Sequence, residues 1–97
     1  MPASLTDRQR LICLLTSVGE LEECIAKLLE IGLRTVETEK QLIATRLGLP
    51  TRLLVIWAVE HRNALRSEIK DWESVSDRVR ALVAPGGPSE WDCDYCI

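Results

Sequence analysis

Few side chains in this 97-residue chain stand at spacings that chemistry uses. Glu60 and His61 are adjacent, a carboxylate beside an imidazole, and such groups move protons near neutral pH. No serine or cysteine nucleophile stands in a recognisable setting beside them, so the pair reads as solvated helix surface. Cys93 and Cys96 form a C-x-x-C. Structural zinc takes four ligands, and only His61 and two cysteines in apolar surroundings, Cys13 and Cys24, remain to complete a set. A redox role needs a depressed thiol pKa, and the flanking Asp92 and Asp94 push the other way. Glu20, Glu22 and Glu23 gather where a helix begins, a position its dipole favours without any metal. No glycine-rich phosphate loop exists. The expectation is a non-enzyme with no catalytic residue, no metal site and no cofactor.

The elements that carry these residues read as helices. Leu, Ile, Ala, Glu and Arg dominate, Phe is absent, and glycine is scarce away from helix ends. A hydrophobic share of 46% supports a folded domain with a modest core. The run LLVIW at 53–57 is flanked by helical periodicity and reads as buried helix. Ser4, with Asp7 three residues on, predicts the cap of a first helix faced by Leu5, Leu11, Ile12, Leu15 and Val18 and ended by Gly19. A second helix is expected from Glu20 to Ile31, with Leu21, Ile25, Leu28 and Leu29 inward and Gly32 as its stop. Thr35 caps a third, reaching Leu47 with Val36, Ile43, Ala44 and Leu47 inward. A fourth starts at Pro50 or Thr51 and meets no clear stop before Ala84. Cys13 and Cys24 are expected to be buried structural thiols. No apolar run approaches the roughly 20 residues of a membrane span, and the signal-peptide pattern is missing. The expectation is an intracellular protein, nuclear in a eukaryote, with no membrane partner.

Lys40–Trp57, KQLIATRLGLPTRLLVIW, carries the most specific pattern. A small residue, Ala44, is followed four positions later by Gly48, where a left-handed turn is cheapest. Leu49 anchors the turn, Pro50 opens the next helix, and Leu54 and Trp57 share one face of it. This is the spacing of a helix–turn–helix. Across residues 19–66 the chain resembles a homeodomain, with Ile25, Leu29, Ile43, Leu47, Leu49, Leu54 and Trp57 at the family's core positions. The resemblance implies a third helix in the major groove and places Arg52, Ile56, Val59, Glu60, Arg62, Asn63 and Arg66 toward DNA. There it implies backbone contacts from Arg62 and Arg66 and a thymine-methyl contact from Ile56. The family's base-reading asparagine is replaced by Glu60, a core aromatic by Ala58, and the basic arm by an apolar helix that can refill the space under the third helix.

The charge agrees with that loss. Net charge is −3. Residues 35–70 hold six basic and four acidic groups, an excess of only two, while residues 71–97 hold two basic and six acidic. Beyond Trp57 a seven-residue spacing links Leu65, Trp72 and Val79, with Val75 and Leu82 in a second register, as in a helix-pairing seam or in a stripe that folds back on the first helix. Residues 85–97, PGGPSEWDCDYCI, read as a flexible acidic tail whose Trp91, Tyr95 and Ile97 suit a short partner-binding motif. The expected fold is all-α: a three-helix homeodomain-like bundle with an extra N-terminal helix and an extended C-terminal helix, residues 1–84 forming a single domain. The expected function is transcription regulation acting mainly through protein contacts, as a homo- or heterodimer joined at the seam, with nucleic-acid binding weak. Two alternatives stand: a sequence-specific DNA-binding factor working as half of a dimer, and a helical adaptor or assembly subunit unrelated to DNA.

Overall fold

Thr6 opens the first helix, α1 (Asp7–Ser17), in a computed structural model that describes residues 5–84. The Thr6 hydroxyl accepts from the Gln9 amide at 3.1 Å, and the Gln9 side-chain oxygen accepts from the Thr6 amide at 3.1 Å. Two orphan donors of the first turn are thereby satisfied reciprocally. The expected Ser4 cap lies outside the described residues, and Thr6 with Gln9 does that work. From Gln9 to Ser17 every residue of α1 is buried. Its polar members survive burial by bonding within the helix: Thr16 Oγ1 donates to the Ile12 carbonyl at 2.8 Å and Ser17 Oγ to that of Leu14 at 2.6 Å. Arg10 pairs with Asp7 at 3.0 Å.

The other helices enclose α1. Helix α2 (Glu22–Leu29) starts with Glu22 and Glu23 and buries Cys24, Ile25 and Ala26. Its stop is Glu30, left-handed at φ 57° and ψ 46°, after which the Ile31 amide returns to the Ala26 carbonyl at 3.0 Å. Gly32, the expected stop, is instead the extended residue before α3 (Leu33–Leu47), which therefore begins two positions ahead of the expected Thr35 cap. Val36, Ile43 and Ala44 face inward from α3, and Gly48 ends it as expected.

The expected extended last helix is not formed. Residues 54–83 make three short helices: α4 (Leu54–Glu60), α5 (Arg62–Ser67) and α6 (Asp77–Val83), the last capped by the Ser76 hydroxyl. Two long-range anchors account for the breaks. Arg62 reaches back to α1, where its Nε donates to Ser17 Oγ at 3.1 Å and its Nη2 donates to the Ser17 carbonyl. The two carboxylate oxygens of Asp7 each accept a backbone N–H, from Lys70 and Asp71, both at 3.1 Å. Those amides stand past the end of α5, where the helix leaves them without partners. The Lys70 amide, more than Asp71 or Arg10, holds the Asp7 pKa below its ordinary value.

This folding-back also revises the seam. Leu65, Val75 and Val79 are buried in the chain's own core, and Trp72 and Leu82 pack partly buried against it. The spacing that suggested a helix-pairing stripe is the record of a chain returning to α1, and those three residues are closed to a partner. The described residues are helical, turn or irregular, with no strand, and no single helix among them is long and apolar enough to cross a membrane.

Candidate interaction surface on the α3–α4 corner

The corner is built from residues whose conformations are set locally. Gly48 sits at φ 70° and ψ 30°, a region where a side chain is strained even though a Cβ would meet no atom within 4 Å. Its amide donates to the Thr45 carbonyl at 3.1 Å and that of Leu49 to Ala44 at 2.9 Å, which satisfies the last carbonyls of α3. Pro50 is extended, and Thr51–Leu53 form a single 3₁₀ turn that leads into α4. The segment Thr51–Glu60 leaves α3 at 90°. Ala44 and Ala58 are both fully or nearly fully buried, and small side chains at such places let helices approach closely. α4 packs most extensively on α1.

Trp57 is half-buried against the core rather than enclosed by it. Its indole stacks on His61, with ring centroids 4.3 Å apart and planes 17° from parallel. His61 Nδ1 donates to the Trp57 carbonyl at 2.7 Å. The imidazole is thus engaged with Trp57 by both its ring face and its Nδ1.

The outer side of α4 presents Val55, Ile56, Val59 and Glu60, all exposed, with Arg52 and Leu53 exposed on the turn before it. Successive helical residues turn by about 100°, so Val55, Ile56 and Val59 fall together opposite buried Leu54 and Ala58. Ile56 is 56% exposed. Of the residues placed toward DNA by sequence, Arg62 and Arg66 do not stand free. Arg62 holds Ser17, while Arg66 Nη1 donates to the Val83 carbonyl at 3.0 Å and its Nη2 donates to Asn63 Oδ1. Both guanidiniums tie helices together inside the fold. Arg52, Ile56, Val59 and Glu60 are exposed at this corner, and Asn63 is exposed on α5. Leu53 and Val55 belong to the corner too and were missed; Val55 stands four residues before Val59, a helical spacing that would have found it. Trp91, Tyr95 and Ile97, with Cys93 and Cys96, lie outside the described residues.

Such a surface offers apolar contact with one cation and one carboxylate at its margins. It has little to bind phosphate, whose neutralisation requires several cations. No family model, no curated protein and no solved structure matches this chain.

Cys13 and Cys24 are both buried, as expected. Burial pushes the Cys13 thiol up to about 12, against a smaller opposing pull from the charge of Lys40. A thiol that stays protonated is a poor nucleophile. Alkylation followed by peptide mass spectrometry should find Cys13 unmodified at pH 8 until denaturant is added. The same shift sets a sign for stability: the folded pKa is raised, so this contribution is present below the ordinary value of 9.0 and is lost as pH climbs past it toward 12. Among the described residues no group of three or more His, Cys, Asp or Glu is placed to hold a metal.

Proposed function

We propose that this chain is a protein-contact module of a homeodomain-like, helix–turn–helix transcription regulator, and that the outer face of α4 meets a protein where a DNA-reading relative would meet the major groove. One observation carries the reading: α4 turns Val55, Ile56 and Val59 to solvent, whereas a base-reading helix turns donors and acceptors outward. The commitment of Arg62 and Arg66 to carbonyls within the fold supports it, because those cations are no longer free for phosphates. The 90° corner and its Gly48 turn support the helix–turn–helix part of the proposal. Contiguous exposed apolar surface is the usual mark of a protein interface.

Two measurements test this. Titration with mixed-sequence duplex DNA at low and moderate salt should give no binding with a steep salt slope. Sedimentation of the intact chain should reveal association that Ile56→Glu abolishes, while the melting temperature of that variant stays near the parent's. Tight, strongly salt-dependent duplex binding that Ile56→Glu leaves untouched would replace this proposal with a DNA-binding factor.

A further inference from the structure

An open groove of about 410 Å³ lies beside α5, away from the outer face of α4, walled by Asn63, Arg66, Ser67 and Trp72. Its walls are mainly apolar, with the guanidinium of Arg66 as its charge. Among the described residues the partners of Arg66 are neutral, the Val83 carbonyl and the Asn63 amide oxygen, and no ion pair takes its charge. We propose that this groove is the docking site of the chain's own acidic–aromatic segment, residues 89–97, with Trp91 seated against Trp72 and a neighbouring carboxylate on Arg66.

Three observations point to this occupant over a second copy or a foreign partner. The first is where the described chain ends. Arg66 holds the carbonyl of Val83, the last residue of α6, at 3.0 Å. The residue that walls the groove is thus the one that grips the chain as it departs. The second is reach. Trp91 is seven residues past Ala84, and each residue extends up to about 3.3–3.6 Å, so a groove beside the residue that holds Val83 lies within its span. The third is chemistry. The segment contains Glu90, Asp92 and Asp94 with no Lys or Arg, and its aromatics alternate with those acids. An indole wall beside a guanidinium suits an aromatic ring flanked by a carboxylate. A short tether also presents its segment at an effective concentration on the order of millimolar, so one aromatic contact and one ion pair suffice.

NMR of the intact chain tests the proposal. Nuclear Overhauser contacts are expected between the Trp91 and Trp72 rings. Trp91→Ala should remove them and move the resonances of the Trp72 indole N–H, Ser67 and the Asn63 side-chain amide, leaving the Trp57 indole in place. Asp92→Asn with Asp94→Asn should move the same resonances part of the way, and added salt should mimic that pair. An isotope-filtered experiment on a mixture of labelled and unlabelled chains should show no Trp91–Trp72 contact. Two results overturn the proposal. One is a Trp72 resonance indifferent to Trp91→Ala. The other is a filtered contact that grows with concentration, which would assign the groove to the tail of another copy. Neither result bears on α4, whose proposed role is read by DNA titration and by Ile56→Glu.

Discussion

Leu54→Ala is expected to cost about 2–5 kcal/mol of stability. Leu54 is fully buried and belongs to the cluster that joins α4 to α1. Truncation leaves a cavity, and its cost depends on how far the surroundings relax into it. Relaxation is restricted here because α1 is held by five other helices and Arg62 fixes the start of α5 to Ser17. A domain of this size has only about 5–15 kcal/mol in total, so the change lowers the melting temperature by roughly 4–8 °C for each kcal/mol lost. Ile56→Ala, on the same helix and exposed, should remain within about 0.5 kcal/mol of the parent. Urea denaturation of the pair measures the contrast. Equal midpoints would mean that α4 presents a different face to the core.

Asp7→Asn should weaken the fold by about 1–2 kcal/mol at neutral pH, the scale of charge-assisted hydrogen bonds discounted for a side chain that is one-third exposed. The Asp7 carboxylate accepts from the amides of Lys70 and Asp71 and pairs with Arg10. It closes a loop that spans most of the chain. The folded pKa lies below the ordinary 3.8. Its stabilisation is therefore complete above 3.8 and is lost as pH falls below that value toward the folded pKa. The stability gap between parent and Asp7→Asn should accordingly be constant from neutral pH down to the mid-acid range and close at lower pH. A gap that persists unchanged at low pH would indicate that the side chain acts by packing and not by charge.

Local chemistry was legible in the sequence, and long-range closure was not. Gly48 ends α3 as its neighbours imply, because a left-handed residue after Leu47 is a local demand. The apolar positions Ile12, Leu15, Ile25, Val36, Ile43 and Leu54 read correctly as core, since helical spacing alone places them on inner faces. The stop of α2 fell to Glu30 despite a glycine two residues later, for tertiary packing can hold a non-glycine residue left-handed. The break-up of the last helix had little local signal beyond the Ser76 cap of α6. Its causes are Asp7 at the amides of residues 70 and 71 and Ser17 at Arg62, partners 45 to 64 residues away in sequence. For the same reason the spacing of Leu65, Trp72 and Val79 could not distinguish a seam for another chain from a return onto α1. On the candidate surface the exposed residues of α4 were legible from the helical period, whereas the internal capture of Arg62 and Arg66 required the placement of Ser17 and Val83.

The enclosure of α1 has a consequence for how the molecule comes into being. Among the described helices, α1 is made before the others and its surroundings are completed last. Gln9 to Ser17 need α4, α5 and α6 for their burial, and the Asp7 bonds wait for residues 70 and 71. These closures join residues 45 to 64 positions apart, and distant closures slow folding. Until they form, α2 and α3 give Leu11, Ile12, Leu14 and Leu15 only part of their apolar cover, and exposed apolar surface makes a nascent chain prone to aggregate. Ending the chain before residue 70 would remove both amides that bond Asp7, so a bond made at the start of α1 depends on the chain having been completed past α5.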